Sequence, residues 1–152
     1  MWEYKKFEAL THDEIFQIFK LRIDTFVVEQ QCFYPDIDER DLTCIHYFNK
    51  EDDKIAAYAR IIVDGQTVKL GRVIVSPQFR GRGLARTLVQ NGLDYIKENY
   101  PDKHISLSAQ AHLKDFYSSF NLSPVSDIYF EDLIPHIDMA RKPYAIDAQL
   151  EG

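Results

Sequence analysis

Cysteine is nearly missing from this 152-residue chain, with Cys32 and Cys44 its only two. They are too few, and in the wrong context, for a disulfide framework or a four-ligand zinc site. Both are expected to be buried or half-buried thiols, with no metal bound. No apolar run approaches the length of a membrane span. The opening MWEYKKFEAL alternates polar and apolar residues where a secretory leader would carry a basic segment and then an apolar one. A cytoplasmic protein is therefore expected. Positive charge is in deficit as well: 18 Lys and Arg against 24 Asp and Glu leave a formal net charge of −6. Nucleic acid and anionic membranes want a basic face, so neither is an expected partner. Repeats, low-complexity tracts and linker-like stretches are also missing. That leaves one globular domain, expected over 1–145, and a short, frayed tail over 146–152.

What is present reads as alternating strands and helices. WEYKKFEAL has the period of a strand. THDE then offers Thr11 as a helix N-cap with Glu14 three residues on, a capping box ahead of the helical run EIFQIFKLRIDTFVVEQ, where Ile15, Ile18, Phe19 and Ile23 share a face. CIHYFNKE, KIAAYARIIVD and VKLGRVIVS predict three strands in an antiparallel meander, joined around EDDK and DGQT. Leu84, Leu88, Leu93 and Ile96 recur at helical spacing until Pro101 stops the helix. HISLSAQ is a further strand. HLKDFYSSF is a short helix that Asn121 closes in a left-handed cap, and VSDIYFED with PHIDMARK forms a last hairpin. The order β-α-β-β-β-α-β-α-β-β predicts an α/β fold, a mixed and mostly antiparallel sheet flanked by helices.

The stretch RVIVSPQFRGRGLARTLVQ, Arg72 to Gln90, stands out against the acidic background through Arg72, Arg80, Arg82 and Arg86. It joins a predicted strand to a helix expected to begin near Gly81. Amides at a helix start lack carbonyl partners and sit at the positive end of the dipole, so the turn is an anion site. Gly81 and Gly83 let a phosphate approach the backbone, and the arginines can pair with further oxygens. A P-loop needs Lys followed by Ser or Thr after its second glycine, where Leu84 and Ala85 stand here. A Rossmann turn needs a third small residue where Arg86 stands, and a βαβ setting that the meander does not supply.

QFRGRG, Gln78 to Gly83, resembles the Gln/Arg-x-x-Gly-x-Gly/Ala acyl-coenzyme A signature of the GNAT N-acetyltransferases. AQAHLKDFYSSFNL follows at the expected distance, and LRIDTFVVEQQCFYPDIDERD, GRVIVSPQFRGRGLARTLV and IPHIDMAR look like the matching stretches of that superfamily's ElaA-like branch. The resemblance spans nearly the whole chain and implies the fold just derived. By position it places Val73, Ile74 and Val75 where relatives offer strand backbone to the pantetheine arm. Arg80, Gly81, Arg82, Gly83, Leu84 and Ala85 fall on the pyrophosphate turn. Gln110 stands where many relatives have a pantetheine-binding Asn. Tyr117 holds the place of the tyrosine near the cofactor sulfur.

The activity implied is acetyl transfer from acetyl-CoA, as cosubstrate, to a small amine or a peptide amino group. A protonated amine must lose its proton before attacking the thioester, and the departing thiolate must gain one. A strand amide near Val75 would stabilise the oxyanion and Tyr117 would be the general acid. For the acceptor side or base two residues stand open: Glu29, which otherwise is solvated or paired with Arg22, and His136, which otherwise is packed or hydrogen-bonded. His46, His104 and His112 make no metal motif, and DIDERD lacks the glycine and distal Glu of a calcium loop, so it is expected to be a solvated loop. Edge strands make a homodimer possible. A non-catalytic acyl-CoA-binding or regulatory module using the same turn is the alternative.

Overall fold

Thr11 starts the first helix by the chemistry its sequence suggests: its hydroxyl accepts from the Glu14 amide at 3.1 Å, and the Glu14 carboxylate accepts from the Thr11 amide at 2.9 Å. The computed structural model describes residues 1–151, and side chains through residue 147. Strand β1, Trp2–Lys6, leads into helix α1, His12–Arg22. Beyond Arg22 the backbone opens into a π-helical segment, Ile23–Glu29, whose exit bond runs from the Gln30 amide to the Thr25 carbonyl at 3.0 Å. The sequence suggests unbroken α-helix here. β-branched Ile23, Thr25, Val27 and Val28 weaken that preference.

The residues cluster into two compact units, Met1–Ile62 with Gly71–Gly92, and Val63–Leu70 with Leu93–Gly152. In the first, the strand order is β1, β2 (Ile45–Glu51), β3 (Lys54–Asp64), β4 (Thr67–Val75), with β4 continuing from the second unit. Asp52 and Asp53 both take positive φ, 51° and 62°, which suits the tight β2–β3 hairpin. Ile18, Phe48, Tyr58 and Ile74 form the buried centre of this unit, with Ile15, Phe19 and Phe26 packed against it. Each such side chain contributes about 1.5–3 kcal/mol by leaving water.

In the second unit β4 pairs parallel with β5 (His104–Gln110), from Thr67↔His104 to Lys69↔Ser106. β5 then pairs antiparallel with β8 (Ile134–Arg141), which also carries β6 (Ser123–Pro124) and β7 (Tyr129–Glu131). Helix α2 spans Leu84–Asn99, α3 Lys114–Ser118 and α4 Tyr144–Glu151. Asn121 closes α3 at φ 66°, as its sequence suggests. Two features of this unit also differ from the sequence reading: β6 is an additional short strand, and the expected frayed tail is helical through residue 151. The fold is a mixed α/β one, with eight strands, mostly antiparallel, flanked by helices.

Candidate active site

At the end of β4 the chain makes one 3-10 turn, Pro77–Phe79, and then passes through Gly81 and Gly83, whose φ angles are 79° and 77°. Left-handed residues cannot continue a right-handed helix, so α2 begins at Leu84 and not near Gly81 as the sequence suggests. The first turn closes from the Thr87 amide to the Gly83 carbonyl at 3.3 Å. The amides of Leu84, Ala85 and Arg86 precede any intrahelical partner and lie at the positive end of a 16-residue helix. A Cβ built on Gly81 or Gly83 would meet nothing within 4 Å, so the turn faces open space. These features fit a diphosphate.

The arginines around this turn are not free charges. Arg80 hydrogen-bonds the Val75 carbonyl at 3.1 Å and holds both Glu29 carboxylate oxygens, at 2.9 and 3.2 Å. That guanidinium keeps Glu29 below the usual carboxylate range. Arg82 pairs with Glu51 at 2.9 Å and lies over the Phe79 ring. Both arginines are exposed, so a stronger anion can recruit them. Arg72 is different: its Nε sits 2.8 Å from Asp36, which is wholly buried, so it does not belong to the anion site the sequence suggests. Ile74 is core, while Val73 and Val75 are half-buried.

Asp36 belongs to a buried network that the sequence reading missed. DIDERD is only in part the solvated loop the sequence suggests: residues 37–40 are exposed, but Asp36 and Asp41 are buried. Arg22 donates to Asp36 at 2.8 Å and to Asp41 at 2.6 and 3.1 Å, and Arg60 donates to Asp41 at 3.0 Å and Asp38 at 2.8 and 3.0 Å. Burial works against the Arg22 charge, but Asp41 and Asp36 outweigh it. Burial likewise opposes the Asp41 charge, and Arg22 with the Asp38 amide brings its pKa down on balance. The signal was present in the chain. Arg22 falls one turn after Ile18 on the apolar face of α1, and Arg60 interrupts the apolar run of β3, so both require buried counter-charges.

Asp41, Cys44 and His46 place ligand atoms within 4.8 Å of one another. Their donors are already engaged. Both Asp41 carboxylate oxygens serve guanidiniums, His46 meets the Tyr58 hydroxyl at 2.6 Å and the Asp41 carbonyl at 2.8 Å, and burial pushes the Cys44 thiol up to about 11. A thiolate ligand is disfavoured there, and the trio does not fit a divalent ion. Cys32 and Cys44 are both buried thiols, as expected from sequence.

The remaining sequence candidates lie in the second unit. Gln110 at the end of β5 is the cross-strand partner of His136 on β8. His136 meets the Ile134 carbonyl through Nδ1 at 2.8 Å, stacks on Tyr129, and has Glu131 at 3.8 Å from Nε2. Tyr117 on α3 is buried, edge-on to Phe116, and no described residue hydrogen-bonds its hydroxyl. Burial alone pushes its phenol up to about 12, so it keeps its proton at neutral pH.

The model of the acetyltransferase (GNAT) domain matches residues 9–143. The chain belongs to the GNAT acetyltransferase family and is an acyltransferase that moves acyl groups from coenzyme A. Among characterised sequences it is similar to protein ElaA of Escherichia coli K12, 42% identical over 93% of this chain and 95% of that one. The crystal structure of E. coli ElaA superposes with a TM-score of 0.89 at 40% identity, covering 93% of this chain and 99% of that one. An acyl-CoA N-acyltransferase from Pseudomonas aeruginosa gives a TM-score of 0.89 at 36% identity, covering 93% and 98%. The fold alone is shared with an aminoglycoside 6'-N-acetyltransferase complexed with coenzyme A, at 13% identity, a TM-score of 0.67 and coverage of 92% and 96%.

Proposed function

We propose that this acyltransferase moves the acetyl group of acetyl-CoA to a primary amine, on a small molecule or a peptide, by direct attack in a ternary complex. The observation that carries the reading is the open turn at Gly81 and Gly83 feeding the start of α2, within a chain of this family. Residues 80–85 hold the diphosphate, chiefly through backbone amides, with Arg80 and Arg82 turning from Glu29 and Glu51 to the phosphate oxygens. Val73, Ile74 and Val75 offer backbone hydrogen bonds to the pantetheine arm, and Gln110 offers a side-chain amide.

The thioester supplies an activated acetyl group. The backbone near Val75 stabilises the oxyanion that forms when the amine attacks, and the Tyr117 phenol donates its proton to the departing thiolate. Glu29, with its lowered pKa, is better suited to attracting an ammonium than to serving as a base matched to neutral pH, whereas His136 is the candidate base. On this reading residues 1–145 work as one catalytic domain. Mass spectrometry of an amine and peptide panel incubated with acetyl-CoA tests it. An acceptor heavier by one acetyl group, with equimolar free thiol, is the expected result, and no acetylated product across a broad panel would refute it.

A further inference from the structure

A left-handed residue inside β4 supplies the starting point. Arg72 has φ 53°, a left-handed conformation that strains a residue with a Cβ. Glycine would carry that conformation without strain, and a glycine is present, but one position earlier: Gly71 is not in the left-handed region. The strained position is occupied by a side chain that is itself gripped. Arg72 Nε lies 2.8 Å from the Asp36 carboxylate, its Nη2 donates to the Asp36 carbonyl at 2.9 Å, and the guanidinium lies over the Tyr34 ring. Asp36 cannot yield, because Arg22 holds its carboxylate at 2.8 Å and its carbonyl at 2.6 Å. The residues that follow directly are Val73, Ile74 and Val75.

We infer that Arg72, clamped by Asp36, is a positioning residue that holds β4 in its left-handed kink and thereby aims the Val73–Val75 backbone at the acyl-pantetheine arm. The inference rests on the function proposed above. Neither residue touches the reacting atoms in this reading. The clamp fixes a backbone direction, and a small misalignment of an oxyanion donor costs rate before it costs affinity. A bend in this strand is the kind of irregularity that re-aims groups beside active sites.

The test separates the side chain from the backbone conformation it enforces. Arg72→Ala and Arg72→Gly lose the same ion pair, but only glycine adopts φ near 53° unaided. Arg72→Ala is expected to lower kcat by about 10-fold to 100-fold with coenzyme A affinity changed little, while Arg72→Gly retains about tenfold more of it. Crystal structures of the two variants supply a readout independent of turnover: residue 72 is expected to relax to negative φ in Arg72→Ala and to stay positive in Arg72→Gly. Equal kcat in the two variants, or a positive φ kept by alanine, overturns the inference. Should Arg72→Ala fail to fold, Arg72→Gln, which keeps the stem against Tyr34, takes its place with the same expectations. A wild type that binds coenzyme A without turnover removes the proposed function instead, and the φ comparison still decides whether Asp36 enforces the kink.

Discussion

Arg80 and Glu29 face each other fork to fork, with the two guanidinium nitrogens 2.9 and 3.2 Å from the two carboxylate oxygens, beside the turn proposed above to take the diphosphate. A diphosphate carries more charge than a carboxylate, so it competes for Arg80. On the proposed function, recruiting Arg80 would free Glu29 to attract the amine. Glu29→Gln is expected to leave coenzyme A affinity unchanged or a few-fold tighter while raising the KM for the amine. Calorimetry with coenzyme A and acceptor titrations check the two arms, and weaker cofactor binding would contradict the exchange.

Gly83→Ala isolates the ligand's approach from packing. No atom lies within 4 Å of the new Cβ, so the cost to the fold is only that of φ 77°, about 1–2 kcal/mol. Coenzyme A should lose most of its stabilising effect, at least tenfold in affinity, because the methyl group occupies the space left for phosphate. Thermal melts with and without millimolar cofactor read both quantities. An undiminished shift would place the anion elsewhere.

Tyr117→Phe is expected to cut kcat by about 10²-fold with cofactor affinity little changed. Its melting temperature should stay close to the wild-type value, because no described residue hydrogen-bonds the hydroxyl. Slowed turnover together with weakened cofactor binding would make Tyr117 a thioester-orienting group and would move the search for the acid to a bound water.

Acid should destabilise the protein in two stages. Burial opposes protonation of His46 in the folded state, so the unfolded chain takes up that proton first and stability falls as the pH drops below about 6.5. Burial also opposes the Glu14 charge, but Lys50, the Thr11 amide and Lys5 outweigh it and bring this carboxyl down to about 2. Its contribution is complete above pH 4.5, the unfolded value, and disappears as the pH falls toward 2, up to about 3 kcal/mol. Urea titrations across pH check both, with His46→Gln flattening the upper stage and Glu14→Gln the lower one.

Local chemistry was legible in the sequence, and long-range pairing was not. The β5 span His104–Gln110 agrees residue for residue with its apolar alternation, and the Thr11 and Asn121 caps need only neighbours a few positions away. The glycines at 81 and 83 likewise announced a turn ahead of a helix, although the start of α2 depends on their left-handed backbone and lies later. Arg72 shows the limit. In the linear chain it looks like one more cation of the cluster around the turn, and only the return of Asp36, 36 residues earlier, reveals a partner. The acidic run around Asp38 was misread for the same reason, since its counter-charges Arg22 and Arg60 sit in α1 and β3.

The network of Arg22, Arg60 and Arg72 with Asp36, Asp38 and Asp41 holds three charges of each sign. Deleting any buried member strands an opposite charge in the interior, at about 3–5 kcal/mol, while exchanging a whole pair for apolar residues of similar volume costs far less. A change at Arg22 alone therefore leaves Asp36 and Asp41 short of a buried counter-charge, and a tolerated change there calls for compensating changes at both partners. A chimera that joins residues 31–44 to a β3 without Arg60 is expected to be destabilised, because Asp38 and Asp41 both lose a counter-charge.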